Sequence, residues 1–244
     1  MSLSMSIKKP YYRIARVESG TEYILDRRYA PDRFTLIQSY QLIENDLKKI
    51  LEYIEPVDEN MHVFSHRLYE LLLRSATEFE TNCKGILNAN GYKKRGNLDI
   101  TDYRKINKAT RVSEYQIKMN FWYPVVKIIM PLSDWSKSQS LNWYKNYNLV
   151  KHDRVNYFSL AKLENVIYAV ASVLIILYSQ FNEYAFNPYN DETMLVQKDK
   201  DDFWYGANSL FNIKPYENWS APDQYYFAWP AIETTESPFE KYAF

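Results

Sequence analysis

The chain has 244 residues, with 30 Lys and Arg balanced by 30 Asp and Glu. A chain of zero formal charge has no whole-body field to draw it onto nucleic acid or an anionic membrane, so any such binding must come from a local patch. Only 5 Gly against 23 Tyr, 12 Phe and 6 Trp argues against phosphate-cradling loops, turn-rich β folds and disorder alike.

The N-terminal stretch reads YYRIARV, ESGT and EYIL over residues 11–25, two β-prone runs around a Gly-containing turn. A small hairpin is expected there. From Phe34 to Ile54, residues Leu36, Tyr40, Ile43, Leu47, Ile50, Leu51 and Ile54 recur at three- and four-residue steps, a single helical stripe that Pro56 closes. The same period, through Phe64, Leu68, Leu71, Leu72, Ala76, Phe79, Cys83, Ile86 and Leu87, predicts a second helix over 57–90, stopped at Asn90-Gly91. Residues 92–113 are polar and basic, with one helix near 101–109. Residues 114–120 alternate as a weak strand, and Pro124 and Pro131 make the apolar stretch between them a loop. Helices follow over 140–151 and 159–184. The second contains the run Val166–Tyr178, too short to span a bilayer and apolar on nearly all sides, as a central core helix would be. Residues 185–244 show no sustained period; five prolines and dense aromatics predict an irregular, ordered wrap.

One cysteine, Cys83, can form neither an internal disulfide nor a multi-thiolate metal site, and it falls on the apolar stripe. With no apolar leader at the start, a cytoplasmic, reducing location is expected. Charge is uneven: residues 84–118 carry nine Lys and Arg against three acids, and residues 183–244 four against eleven. The two regions are expected either to neutralise each other or to leave a basic patch for a phosphate backbone. Nucleotide-loop, zinc-protease, nucleophile-elbow and CxxC motifs are absent. His62 and His66 stand four apart on the expected second helix, but no third ligand is signposted, so no metal is expected. Glu80 and Lys84 form an i,i+4 pair, and Glu78 is a candidate to reach the face described next.

The informative stretch is WYKNYNLVKHDR, residues 143–154. On a helix, Lys145, Asn148 and His152 share one face, while Trp143, Tyr147 and Val150 fall on another and anchor it. His152 lies near the helix C-terminus beside Asp153. An ammonium, an amide and an imidazole suit a phosphodiester: the cation holds the phosphate, the amide orients it, and the imidazole exchanges a proton with a 2′-hydroxyl or a leaving oxygen. No metal or other cofactor is needed.

This run, followed by NVIYAVASVLIIL and preceded by RLYELLLRSATEFETNCKGIL, resembles the HEPN superfamily over about residues 35–183. The resemblance implies a mainly α fold: a bundle of four or five helices at 34–184, with a possible hairpin extension at 1–33 and a C-terminal wrap at 185–244. It implies a homodimeric, metal-independent endoribonuclease of a toxin–antitoxin or phage-defence type, or a non-catalytic binding or scaffold module for RNA, nucleotide or protein. RNA and a cognate antitoxin or other protein are the partners it suggests, without a membrane. In the family motif an Arg precedes a His by four to six intervening residues. His152 matches the His, as general acid/base. Lys145 stands at the Arg position with six residues intervening, a point charge in place of a planar fork; a second alignment places Asn148 there, with three residues intervening. Asn146, Lys151 and Arg154 are the expected substrate-binding neighbours.

Overall fold

A computed structural model describes residues 7–16, 21–187 and 196–244. Four long helices pack together: α1 (Arg33–Leu51), α2 (His66–Ala89), α5 (Asn142–His152) and α7 (Leu163–Phe181). Short helices α3 (Ile100–Tyr103), α4 (Ile106–Thr110), α6 (Arg154–Tyr157) and α8 (Trp229–Ile232) lie between and after them. α7 is the centre. It packs against α1, α2 and α5, and its side chains are buried nearly all round, as its unbroken apolar sequence requires. Leu163–Phe186 has the length and hydropathy of a bilayer span, and 89% of its apolar window lies inside the fold.

The ends of α2 follow from its caps. The Ser65 side chain accepts a hydrogen bond from the Leu68 N–H at 3.2 Å. At the other end Gly91 takes φ 77°. The Tyr92 N–H donates to the Leu87 carbonyl and the Gly91 N–H to the Asn88 carbonyl, the paired bonds of a left-handed helix stop. The sequence places the start of this helix too early. Asp58–His62 is a separate 3-10 turn, and Ser65 is extended at φ −160°, so His62 and His66 do not share a helix. The helix expected over 101–109 is likewise two short ones, α3 and α4.

The mainly α, all-helical fold class is corrected by a five-stranded antiparallel sheet, in the order β2-β1-β5-β4-β3. Its strands are β1 (Gln116–Met119), β2 (Lys127–Ile129), β3 (Val196–Lys198), β4 (Trp204–Gly206) and β5 (Asn212–Lys214). Ile117 pairs with Ile129 on one side and with Ile213 on the other. Only β1 falls on an expected strand. β2 occupies the stretch between Pro124 and Pro131 read as loop, and three strands come from the stretch expected to be irregular. Runs of three or four residues are too short to declare a period of two, and β1 meets β5 only from the far end of the chain.

The expected N-terminal hairpin is not formed by the described residues, although residues 17–20, which carry most of its turn, lie outside them. Glu22–Leu25 is a 3-10 turn, while Ile7 and Tyr11 make parallel bridges to Tyr225 and Glu240. The Tyr225 hydroxyl donates to the Ile14 carbonyl at 2.7 Å, and the buried Arg16 guanidinium lies 4.3 Å from the Trp219 ring. The dense C-terminal aromatics therefore close over the first strand-like segment, with Tyr225, Trp229 and Phe239 buried in the same core as α7.

Candidate functional site

α5 forms because its apolar residues fall on one side. Trp143, Tyr144, Tyr147 and Val150 are buried, and Trp143 meets Phe79 of α2 edge-to-face at 5.3 Å. The Tyr144 hydroxyl donates to Glu80 at 2.8 Å; burial and that carboxylate push the phenol well above its ordinary range. On the α7 side, the Asn146 amide donates to Asn165 at 3.3 Å. This packing fixes the rotation of α5 and so decides which residues face outward.

The outward residues are Lys145 and His152, both exposed, with Asn148 half-buried between them. None of the three side chains has a hydrogen bond or ion pair to another described residue. Lys151 and Arg154 are also exposed. The Lys151 ammonium lies 5.2 Å from the Tyr147 ring, and the Arg154 guanidinium 5.5 Å from the ring of Tyr69 on α2. Five of the six predicted site residues thus share the outer surface of α5 and its C-terminal turn. Asn146 does not; it is turned inward to Asn165.

Asp153 does not pair with His152. Its carboxylate accepts from the Asn156 backbone and side-chain N–H groups at 3.2 and 2.7 Å, starting α6. Glu78 does not reach this surface either. It accepts from the Asn82 amide at 3.2 Å, and burial, with Asp32 adding to it, raises its carboxyl above the usual range. The acid that touches α5 is Glu80, which also ion-pairs with Lys84 at 3.4 Å.

Beyond His152 the surface becomes aromatic, a feature sequence reasoning missed. Phe158 packs against His66 at 4.7 Å, Phe64 at 5.5 Å and Tyr69 at 6.2 Å. Phe64 is 48% and Tyr157 38% exposed. The rings of Tyr157 and Phe158 directly after the motif were the available signal. His66 serves in this ring cluster, while His62 Nδ1 lies 3.4 Å from the Lys162 ammonium. No set of three metal-ligating side chains occurs among the described residues. Cys83 is fully buried, and burial pushes its thiol well up.

The basic stretch 84–118 is neutralised in part. Lys94 pairs with Asp99 and Asp102 at 2.6 and 2.8 Å, and Arg111 with Glu114 at 3.0 Å. Lys118 reaches the acidic tail, at 2.9 Å from Asp199 and 2.7 Å from Asp201. Lys93, Arg95 and Lys108 are exposed and, like the outward cations of α5, form no ion pair among the described residues.

Seven residues of helix separate Lys145 from His152, about 10 Å along the axis. The two therefore suit neighbouring positions on an extended strand better than one phosphate. A cavity of about 70 Å³ sits at the opposite end of α5, against Asn142 and Trp143. Comparison of the chain with protein-family models, with curated proteins and with solved structures returns no match.

Proposed function

We propose that the chain acts on RNA through the outer edge of α5, as a metal-independent endoribonuclease of the HEPN type. Lys145 and Asn148 hold the phosphate backbone. His152 acts as general acid/base on a 2′-hydroxyl or the leaving oxygen. Lys151 and Arg154 extend the cationic track, and the Phe64–Phe158–Tyr157 surface offers rings for bases to stack on. The observation that carries this reading is that Lys145, Asn148 and His152 emerge together on a rigidly anchored helix, with no side-chain partner among the described residues. Atom for atom, attack of the 2′-oxygen on the adjacent phosphorus breaks the bond to the 5′-oxygen. It leaves a cyclic phosphate and a 5′-hydroxyl without an added co-reactant.

The second reading is a binding module without chemistry, favoured by the wide spacing of Lys145 and His152 and by the lone ammonium where a guanidinium fork would clamp a phosphate. A single-stranded RNA oligonucleotide in EDTA separates the two. The nuclease reading expects cleavage that His152→Ala removes while binding persists. Binding with no cleavage leaves the module. No binding at all ends the nuclease reading and RNA as the module's partner.

A further inference from the structure

β2 is an edge strand, flanked by β1 on one side and by no strand on the other among the described residues. Sheet edges are ordinarily blunted by polar and charged side chains, and at the far end β3 exposes Gln197 and Lys198, the latter paired with Glu217 at 3.2 Å. β2 does the opposite. In the run YPVVKIIM, Tyr123, Val125, Val126, Ile128 and Met130 are 64, 72, 45, 50 and 37% exposed. The single charge is Lys127, and it is neutralised at home: its ammonium pairs with Asp58 and lies 5.2 Å from the Trp122 ring. Val126, Ile128 and Met130 alternate, so they form one apolar row beside an open edge. High β propensity, low net charge and an open edge together make a template for another strand.

We propose that this edge pairs antiparallel with the β2 edge of a second copy of the chain, about a twofold axis at Ile128. Charge selects the occupant. An acidic or basic peptide would need an unpaired opposite charge on the strand, and β2 has none, whereas a neutral strand is complementary to itself. An axis at Ile128 sets Ile128 against its own counterpart, Val126 against Met130 and Lys127 against Ile129. The apolar rows then meet, and the two ammonium groups do not oppose each other. An axis one residue earlier would set lysine against lysine, which is destabilising. Residues 126–130 would give a seam of about 17 Å. This pairing stands independently of the RNA reading.

Sedimentation velocity on the full chain tests it. The wild type is expected to be dimeric at micromolar concentration. Ile128→Glu and Ile128→Lys each place like charges across the axis and are expected to weaken the dimer roughly 100-fold. An equimolar mixture of the two variants is expected to restore dimers, which no folding defect could produce; near-UV circular dichroism checks the aromatic core of each. A wild type that is monomeric at about 100 µM, single variants that stay dimeric, or a mixture that stays monomeric would each overturn the proposal.

Discussion

The helical core and the sheet are built on opposite principles. α2 and α7 meet because α2 carries an apolar stripe and α7 is apolar nearly all round, and Phe79, Cys83 and Leu87 can each be placed inside from the spacing of α2 alone. The sheet has no such internal instruction. β1 is four residues of modest alternation until β5, from the far end of the chain, supplies Ile213 against Ile117. Bonds within a helix cost little chain entropy on forming, whereas the β1–β5 pairing, which joins residues 116–118 to 212–214, must first close a long loop. The core can therefore be read from a window, and the sheet only from the whole.

That contrast can be broken by substitution. The largest effect is expected from Phe79→Ala, at the junction of α2, Trp135 and Trp143. A loss of about 3–5 kcal/mol should appear in urea denaturation as one transition for helix and sheet signals together; separate transitions would show that the sheet folds apart from the core.

Asp199→Ala comes next. It leaves the buried Lys118 ammonium with Asp201 alone, at a cost of about 1–3 kcal/mol. Burial raises the Asp199 carboxyl, but Lys118, two backbone N–H groups and Asn212 outweigh it and bring it down to about 2. A lowered carboxyl stabilises the fold above its unfolded range and loses that contribution as pH falls towards 2. Wild-type stability should therefore fall through this acid window more steeply than that of Asp199→Ala, and equal slopes would contradict the pairing.

Smaller still, Ser65→Ala should cost about 1 kcal/mol by removing the cap, measured by thermal melting. Lys145→Ala with Lys151→Ala should leave stability within about 0.5 kcal/mol. It should flatten the salt dependence of RNA binding by about one unit of slope for each phosphate no longer neutralised.

The same physics explains what the sequence showed. α1, α5 and α7 could be located from Tyr40, Tyr147 and Val166 and their spaced neighbours, and the outward set Lys145, Asn148 and His152 followed once Trp143, Tyr147 and Val150 were placed inside. Asn146 could not be placed, because its inward turn depends on Asn165 across the helix interface. Glu80 rather than Glu78 reaches α5 because helix rotation is set by tertiary packing. The break before α2 was hidden because Phe64 extends the apolar period across Ser65, and the hairpin arm at Glu22–Leu25 was lost to a 3-10 turn whose Tyr23 packs on Tyr225 and Phe227.

The most direct measurement is cleavage of a single-stranded RNA in EDTA by the wild type and by His152→Ala of equal thermal stability. Wild-type cleavage leaving a cyclic phosphate, slowed about 100-fold or more in the variant with RNA affinity retained, is the expected result. Equal cleavage by both proteins, or an RNA that neither binds, would contradict the assignment of α5 as the acting surface.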